Sequence, residues 1–268
     1  MNVADRILQL DLKIGGHHRG DCPACGGDNT FTVTRTIEGT LFNCYKAGCK
    51  FSGRKTSSIR VSDLSGHVRS STHESQEPFA LPRHVVMGHS QIREWLSIYD
   101  YPISERDIYY DLTESRIVFP IYHGGEIVDA TGRSTSPERL PKWKRYGSSG
   151  YAYTYGEGTV AVVVEDAISA AVAGSTDANC TGMALLGTSL LPSHVEQLQG
   201  YTAVIVALDP DAAKKTLEIT QELRGQLLSR GHTQNKVFAA RLEDDLKYRR
   251  KNDMVLMRDK IAEFTEPN

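Results

Sequence analysis

Two sets of residues have the type and spacing to do chemistry. One is the cysteine pattern of "CPACGGDNTFTVTRTIEGTLFNCYKAGC"; the other is the acids around "VIVALDPDAA". Cys22 and Cys25 are separated by two residues and Cys44 and Cys49 by four. Each pair fits a tight turn with converging thiolates, and zinc takes four such ligands tetrahedrally. His17 and His18 precede the first pair and are the alternative donors in place of Cys49; solvent or phosphate is their other use. Cys180, in "DANCTG", has no partner in sequence and reads as an ordinary small residue. The metal would be structural, supplying folding energy that so small a lobe lacks.

The acids follow apolar runs. Glu165 and Asp166 end "VAVVV", Asp209 and Asp211 end "AVIVAL", and Asp244 and Asp245 follow "KVFAARLE". In open α/β sheets, ligands bind beyond the carboxyl ends of the strands. Carboxylates gathered there repel unless a cation lies among them, and Mg²⁺, with Mn²⁺ as substitute, is the hard oxygen-seeking ion for that place. A single acid after a strand is ordinarily a helix cap, and Asp166 fits that use. Three acidic strand ends in one sheet go beyond it. Paired ions about 3.5–4 Å apart run in-line phosphoryl transfer.

The elements that must position these residues are legible in outline. "TFTVT" and "TLFNC" read as a hairpin turning at Glu38-Gly39, which with the cysteines suggests a zinc ribbon. Residues 55–78 are rich in Ser, Thr and His and read as a linker. "SQIREWLSIYD" has helical spacing, "SERDIYYD" suggests a further helical turn, and "RIVFPIYHGGEIVDATGR" reads as a hairpin. A basic, aromatic loop follows: Arg133–Tyr146 holds five basic residues and one acid. From Thr159 strand-like runs ("VAVVV", "MALLG", "AVIVAL", "KVFAA") alternate with helical ones ("DAISAAVAG", "PSHVEQLQ", "AAKKTLEITQELRGQLLSRG"), the mark of a parallel, doubly wound sheet. The 268 residues carry a net charge of −2, which argues neither for nor against nucleic acid. No apolar run reaches the ~18–20 residues of a membrane span, and the first residues are too polar for a signal peptide. The expectation is a cytoplasmic protein without a membrane partner, whose five cysteines are reduced ligands and spectators.

"VVVEDAISA", "ALLGTSL", "VIVALDPDAA" and "DDLKY" resemble the successive motifs of the Toprim domain, a metal-binding fold of DnaG-type primases, topoisomerases and some nucleases. "RIVFPIYHGGEIVDATGR" followed by "PKW" resembles the basic half of the primase RNA-polymerase domain, and the cysteines resemble the zinc-binding domain that precedes it. Together, in family order, they resemble a bacteriophage-type primase of the DnaG superfamily without a fused helicase. The resemblance implies that Glu165, Asp209 and Asp211 are catalytic and bind Mg²⁺ together with Asp245, with Asp244 as fallback. It also implies that Arg116, Arg133 and Lys142 lie near nucleotide phosphates and template, within a basic segment that includes Trp143, Lys144 and Arg145. Trp143 and the tyrosines of "YAYTY" are candidates for stacking on bases. Two positions depart from the pattern: Asp166 replaces the usual Gly, and Ser169, expected on the helix surface, replaces a frequent acid.

The resulting expectation is a zinc ribbon for template binding over 1–54, a linker over 55–78, a basic α+β part over 79–157 and an α/β Toprim part over 158–268. Its function would be Mg²⁺-dependent synthesis of short RNA primers from ribonucleoside triphosphates on single-stranded DNA, beside a separate replicative helicase in the host bacterial cytoplasm. A Toprim nuclease and a non-catalytic zinc-ribbon adaptor for a helicase are the rival readings.

Overall fold

The computed structural model describes residues 12, 17–36, 39–46, 48–56, 79–187, 189–232 and 236–265. The chain divides into two compact units, Met1–Glu77 and Pro78–Asn268. Of the expected linker, residues 57–78 lie outside the described residues.

In the first unit, the alternating "TFTVT" and "TLFNC" segments pair as expected. β2 (Phe31–Thr36) and β3 (Gly39–Cys44) form an antiparallel hairpin flanked by β1 (His17–Gly20) and β4 (Ser52–Thr56), in the order β1-β2-β3-β4. β4 continues the sheet into residues read as linker from sequence. Its core is small: Phe31 and Val33 with Cys22 and Cys44, and the rings of Phe42 and Phe51 packed alongside. So few apolar groups give little stability on their own.

The second unit holds two sheets. β5 (Val85–Val86), β6 (Tyr109–Asp111), β7 (Arg116–His123), β8 (Glu126–Ser134) and β9 (Trp143–Arg145) form an antiparallel sheet in chain order, with α1 (Ser90–Tyr99) packed on it. β7 and β8 are the expected hairpin; Gly124 and Gly125 turn it with φ of 61° and 84°, a left-handed pair that glycine adopts without strain. "SERDIYYD" is not helical: a turn closed by Asp107 N–H to the Ser104 carbonyl leads directly into β6. Tyr109 and Tyr110 pair with β7 instead, a tertiary choice overriding local pattern.

The second sheet comprises β10 (Tyr153–Tyr155), β11 (Val160–Val164), β12 (Cys180–Ala184), β13 (Ala203–Val206) and β14 (Lys236–Ala239), in the order β10-β12-β11-β13-β14. The last four are mutually parallel, and β10, counted with the basic part from sequence, pairs antiparallel on the edge. The crossovers are α2 (Ala167–Gly174), α3 (Pro192–Leu198) and α4 (Ala213–Ser229); α5 (Lys251–Thr265) ends the described chain. Alternate residues of β11 serve two cores. Val160, Val162 and Val164 join α2 and α5, whereas Ala161 and Val163 join Val195 and Leu198 of α3 and Ile219, Leu223 and Leu227 of α4. Burial on both faces is why this strand reads as an unbroken valine run. α2 presses unusually close on β12: a Cβ at Gly182 would come within 1.8 Å of the Ala170 carbonyl oxygen. Among the described residues no helix is long and apolar enough to cross a membrane.

Candidate active site

In the first unit the four cysteines meet. Cys22 and Cys49 sulfurs are 4.0 Å apart, those of Cys25 and Cys44 3.8 Å, and all four lie within 4.8 Å of one another. A tetrahedron of Zn–S bonds of about 2.3 Å has edges of about 3.8 Å, so the donors fit zinc. Protons alone serve such crowding poorly. The Thr30 hydroxyl helps draw Cys44 down to about 6. Although a backbone hydrogen bond at Phe51 pulls Cys49 down, burial and the other three sulfurs together hold it up at about 12. A cation would neutralise all four together. His18 is exposed outside this cluster, and Cys180 is buried in the other unit.

In the second unit, Glu165 and Asp166 after β11 and Asp209 after β13 share a cavity of about 360 Å³ with Asp245, Lys247 and residues of β9 and its approach. Glu165 follows β11 directly, its carbonyl accepting Leu186 N–H at 2.9 Å. Its Oε1 is buried without a hydrogen-bond partner. Burial pushes this carboxyl up, Asp211 adds to the push, and the Asp209 backbone N–H opposes it. Asp209 lies three residues past β13, at the start of the turn Pro210–Ala212, but makes no capping hydrogen bond. Burial pushes it up to about 7, despite the pull of Lys247. Asp211 is exposed on the same turn.

Asp166 is the helix cap of α2: Oδ1 accepts Ile168 and Ser169 N–H at 3.0 and 2.9 Å, while Oδ2 lies 3.1 Å from Lys247 Nζ. Ser169 is not on the helix surface. It is fully buried because α2 lies between the sheet and the segment carrying Lys247, and its hydroxyl has no partner. Asp245 comes to the cavity but is ion-paired with Lys247 rather than standing free. Asp244 turns away to Arg250 at 3.0 Å. That Arg250 hydrogen bond pulls the Asp244 carboxyl down. The loop is held by buried Asp253 of α5, which accepts Glu243 and Asp244 N–H at 2.8 and 3.2 Å. Among the described residues, only the cysteines form a group with ligand atoms all within 4.8 Å. The acidic set is looser, with the hard oxygen donors that suit Mg²⁺.

The basic residues divide by burial. Lys142 lines the cavity, its ammonium pKa lowered by the nearby Arg133 charge and by burial. Arg133 lies 5.3 Å over the Trp143 ring, and its Nη1 has no partner. Trp143 packs on Phe119 with one side toward the cavity. Arg116, expected near phosphates, is only 1% exposed and faces protein groups. It bonds Glu114 at 2.8 Å and donates to the Pro141 carbonyl at 2.9 Å and the Lys142 carbonyl at 3.4 Å, so it fixes the backbone that presents Lys142. Lys144 pairs with Glu114, and Arg145 grips Asp129 at 2.6 Å; both still border the cavity. Lys247, in "DLKY", was not singled out from sequence. A lone lysine two residues after an acid ordinarily points to solvent, so nothing in the string marks it.

No known protein family matches the chain, and no curated protein matches it. Its structural neighbours are DnaG-type primase domains. A DNA primase domain from Pseudomonas aeruginosa is 18% identical with a TM-score of 0.44, the match covering 58% of this chain and 53% of that one. A DnaG primase catalytic domain bound to single-stranded DNA is 19% identical, with a TM-score of 0.45 over 66% of this chain and 60% of that one. The zinc-binding and RNA-polymerase domains of Aquifex aeolicus primase are 19% identical, with a TM-score of 0.46 over 98% of this chain and 83% of that one. The matched length is thus about half of the Pseudomonas domain and three fifths of the DNA-bound domain.

Proposed function

We propose that the chain is a DNA primase, a nucleotidyltransferase of the Toprim type that builds short RNA primers from ribonucleoside triphosphates on single-stranded DNA. One observation carries the reading: Glu165, with a buried oxygen that has no partner, and Asp209, at adjacent strand ends, share a single cavity with Lys142, Arg145 and Trp143. Anionic triphosphate and acids come together only with cations between them. When bound at Glu165, Asp209 and Asp211, Mg²⁺ (or Mn²⁺) would lower the pKa of a primer 3′-hydroxyl and offset the charge of the leaving pyrophosphate.

The residues of the chain do the rest. Lys142 and Arg133 donate charge-assisted hydrogen bonds to phosphates. Arg116 positions Lys142 through its carbonyl, and Trp143 offers a face on which a template base stacks. Lys144 and Arg145 extend the basic border. The zinc-held cysteine unit reads exposed base edges of the single strand, and a separate replicative helicase delivers that strand. Incubation with single-stranded template, labelled ribonucleotides and Mg²⁺ tests the proposal. Short labelled products support it; a shortened template means a nuclease, and neither product means an adaptor.

A further inference from the structure

Lys247 is a buried cation that the reaction as described leaves without work. Its ammonium is paired with Asp245, lies 3.1 Å from Asp166 Oδ2 and 4.0 Å from Asp209 Oδ2, and the side chain is only 6% exposed. The short turn Leu246–Tyr248 that carries it is anchored on both sides. Asp253 holds the residues before it, and Arg249 after it donates to the Asp100 carbonyl at 2.8 Å and the Tyr99 carbonyl at 3.3 Å. It is a fixed charge, not a mobile surface lysine.

The acids divide around it. Both oxygens of Asp166 are engaged, one by the α2 backbone and one by Lys247, and Asp245 is engaged by Lys247. Glu165 retains a buried oxygen with no partner, Asp209 touches the ammonium only at its outer range, and Asp211 is exposed on its turn. An ammonium is a compact point charge with three donors, which is the number of carboxylates gathered about it. The side of the cavity between Asp166 and Asp245 therefore already has its counter-charge, and a divalent ion entering there would meet a like charge.

We propose that Lys247 is a second cation built into the chain: the pocket takes a single divalent ion, at Glu165, Asp209 and Asp211, and the Lys247 ammonium holds the side where a second would lie. This rests on the nucleotidyl-transfer reading of the pocket. The ammonium cannot coordinate a hydroxyl, but it can donate to an anionic leaving group. Its charge is present at any metal concentration.

The test is a Mn²⁺ titration of the full-length, zinc-loaded protein, with free Mn²⁺ followed by electron paramagnetic resonance. Wild type should bind one Mn²⁺ in the pocket, Asp209→Asn should lose it, and Lys247→Met should bind two. Two ions in wild type, or one still in Lys247→Met, overturns the inference. If Asp209→Asn binds Mn²⁺ as wild type does, the metal reading of the pocket itself fails instead. Should Lys247→Met not fold alone, with its acids left unpaired, Mg²⁺ should restore a cooperative melt by replacing the missing charge. No restoration at any Mg²⁺ concentration also overturns the inference.

Discussion

Replacing Asp209 with asparagine should make the Mg²⁺-free protein more stable. Burial is the main force holding this carboxyl at about 7 instead of 3.8; Lys247 opposes it, and Asp245, Glu165 and Asp166 reinforce it. The sign follows from linkage. The unfolded chain releases this proton near 3.8 and the folded chain near 7, so the folded state loses stability as pH rises through that window and does not regain it above. At 1.36 kcal/mol per pH unit the displacement corresponds to at most about 4 kcal/mol. The side chain keeps 18% exposure and Lys247 is near, so solvent relaxation should leave about 1–2 kcal/mol. Each kcal/mol moves the melting temperature of a unit this size by about 2–4 °C. Asp209→Asn should therefore melt about 2–8 °C above wild type at pH 8 and level with it at pH 4. Saturating Mg²⁺ should reverse the order, because binding adds about 2.7 kcal/mol to wild type at a hundredfold excess over Kd. Primer synthesis should fall at least ~100-fold. Calorimetry at the two pH values, with and without Mg²⁺, decides it. A variant that melts lower than wild type at pH 8 without Mg²⁺ refutes the reasoning and makes Asp209 a structural acceptor.

Metal analysis should find one zinc per chain, lost in Cys49→Ser and kept in His17→Ala and His18→Ala; the opposite pattern would move the fourth ligand to a histidine. Arg116→Met should cost about 3–5 kcal/mol in urea unfolding, the range for breaking a buried pair from one side. A loss below 1 kcal/mol would show that Arg116 does not hold the Pro141–Lys142 backbone. Lys142→Ala should lower the salt slope of single-strand binding by about 0.7, one phosphate contact, and an unchanged slope would take Lys142 off the nucleic-acid path.

The parallel sheet was legible because burial on both faces leaves a plain trace, the valine run of β11. The zinc cluster was legible because two turn-spaced pairs allow few other uses. What the sequence hid was direction. Arg116 and Lys142 are both basic residues in family-like motifs, yet one is buried and the other lines the cavity. Only the packing of Glu114 and the Pro141 carbonyl around Arg116 separates them. Ser169 read as surface because a small polar residue on a helix ordinarily is; here every residue from Ala167 to Ala173 is buried, so the helix has no solvent face at that position. α5 went unassigned although Met254, Met257, Ile261 and Phe264 fall at helical spacing, because charged residues between them dilute the stripe. β10 was too short to distinguish from the aromatic loop before it.

The close seating of α2 on β12 has a dynamic consequence. With a glycine beneath the Ala170 carbonyl, helix and strand touch backbone to backbone, and neither can shift without losing the contact. The amides of β11, β12 and α2 should exchange with deuterium only through global unfolding, so Glu165 and Asp166 project from the slowest-opening part of the molecule. Lys247 and Asp245 stand on a short turn that is pinned by Asp253 before it and Arg249 after it, with Leu246 in the core. Both walls of the pocket are thus set before a ligand arrives, so little ordering entropy is left to be lost when one binds.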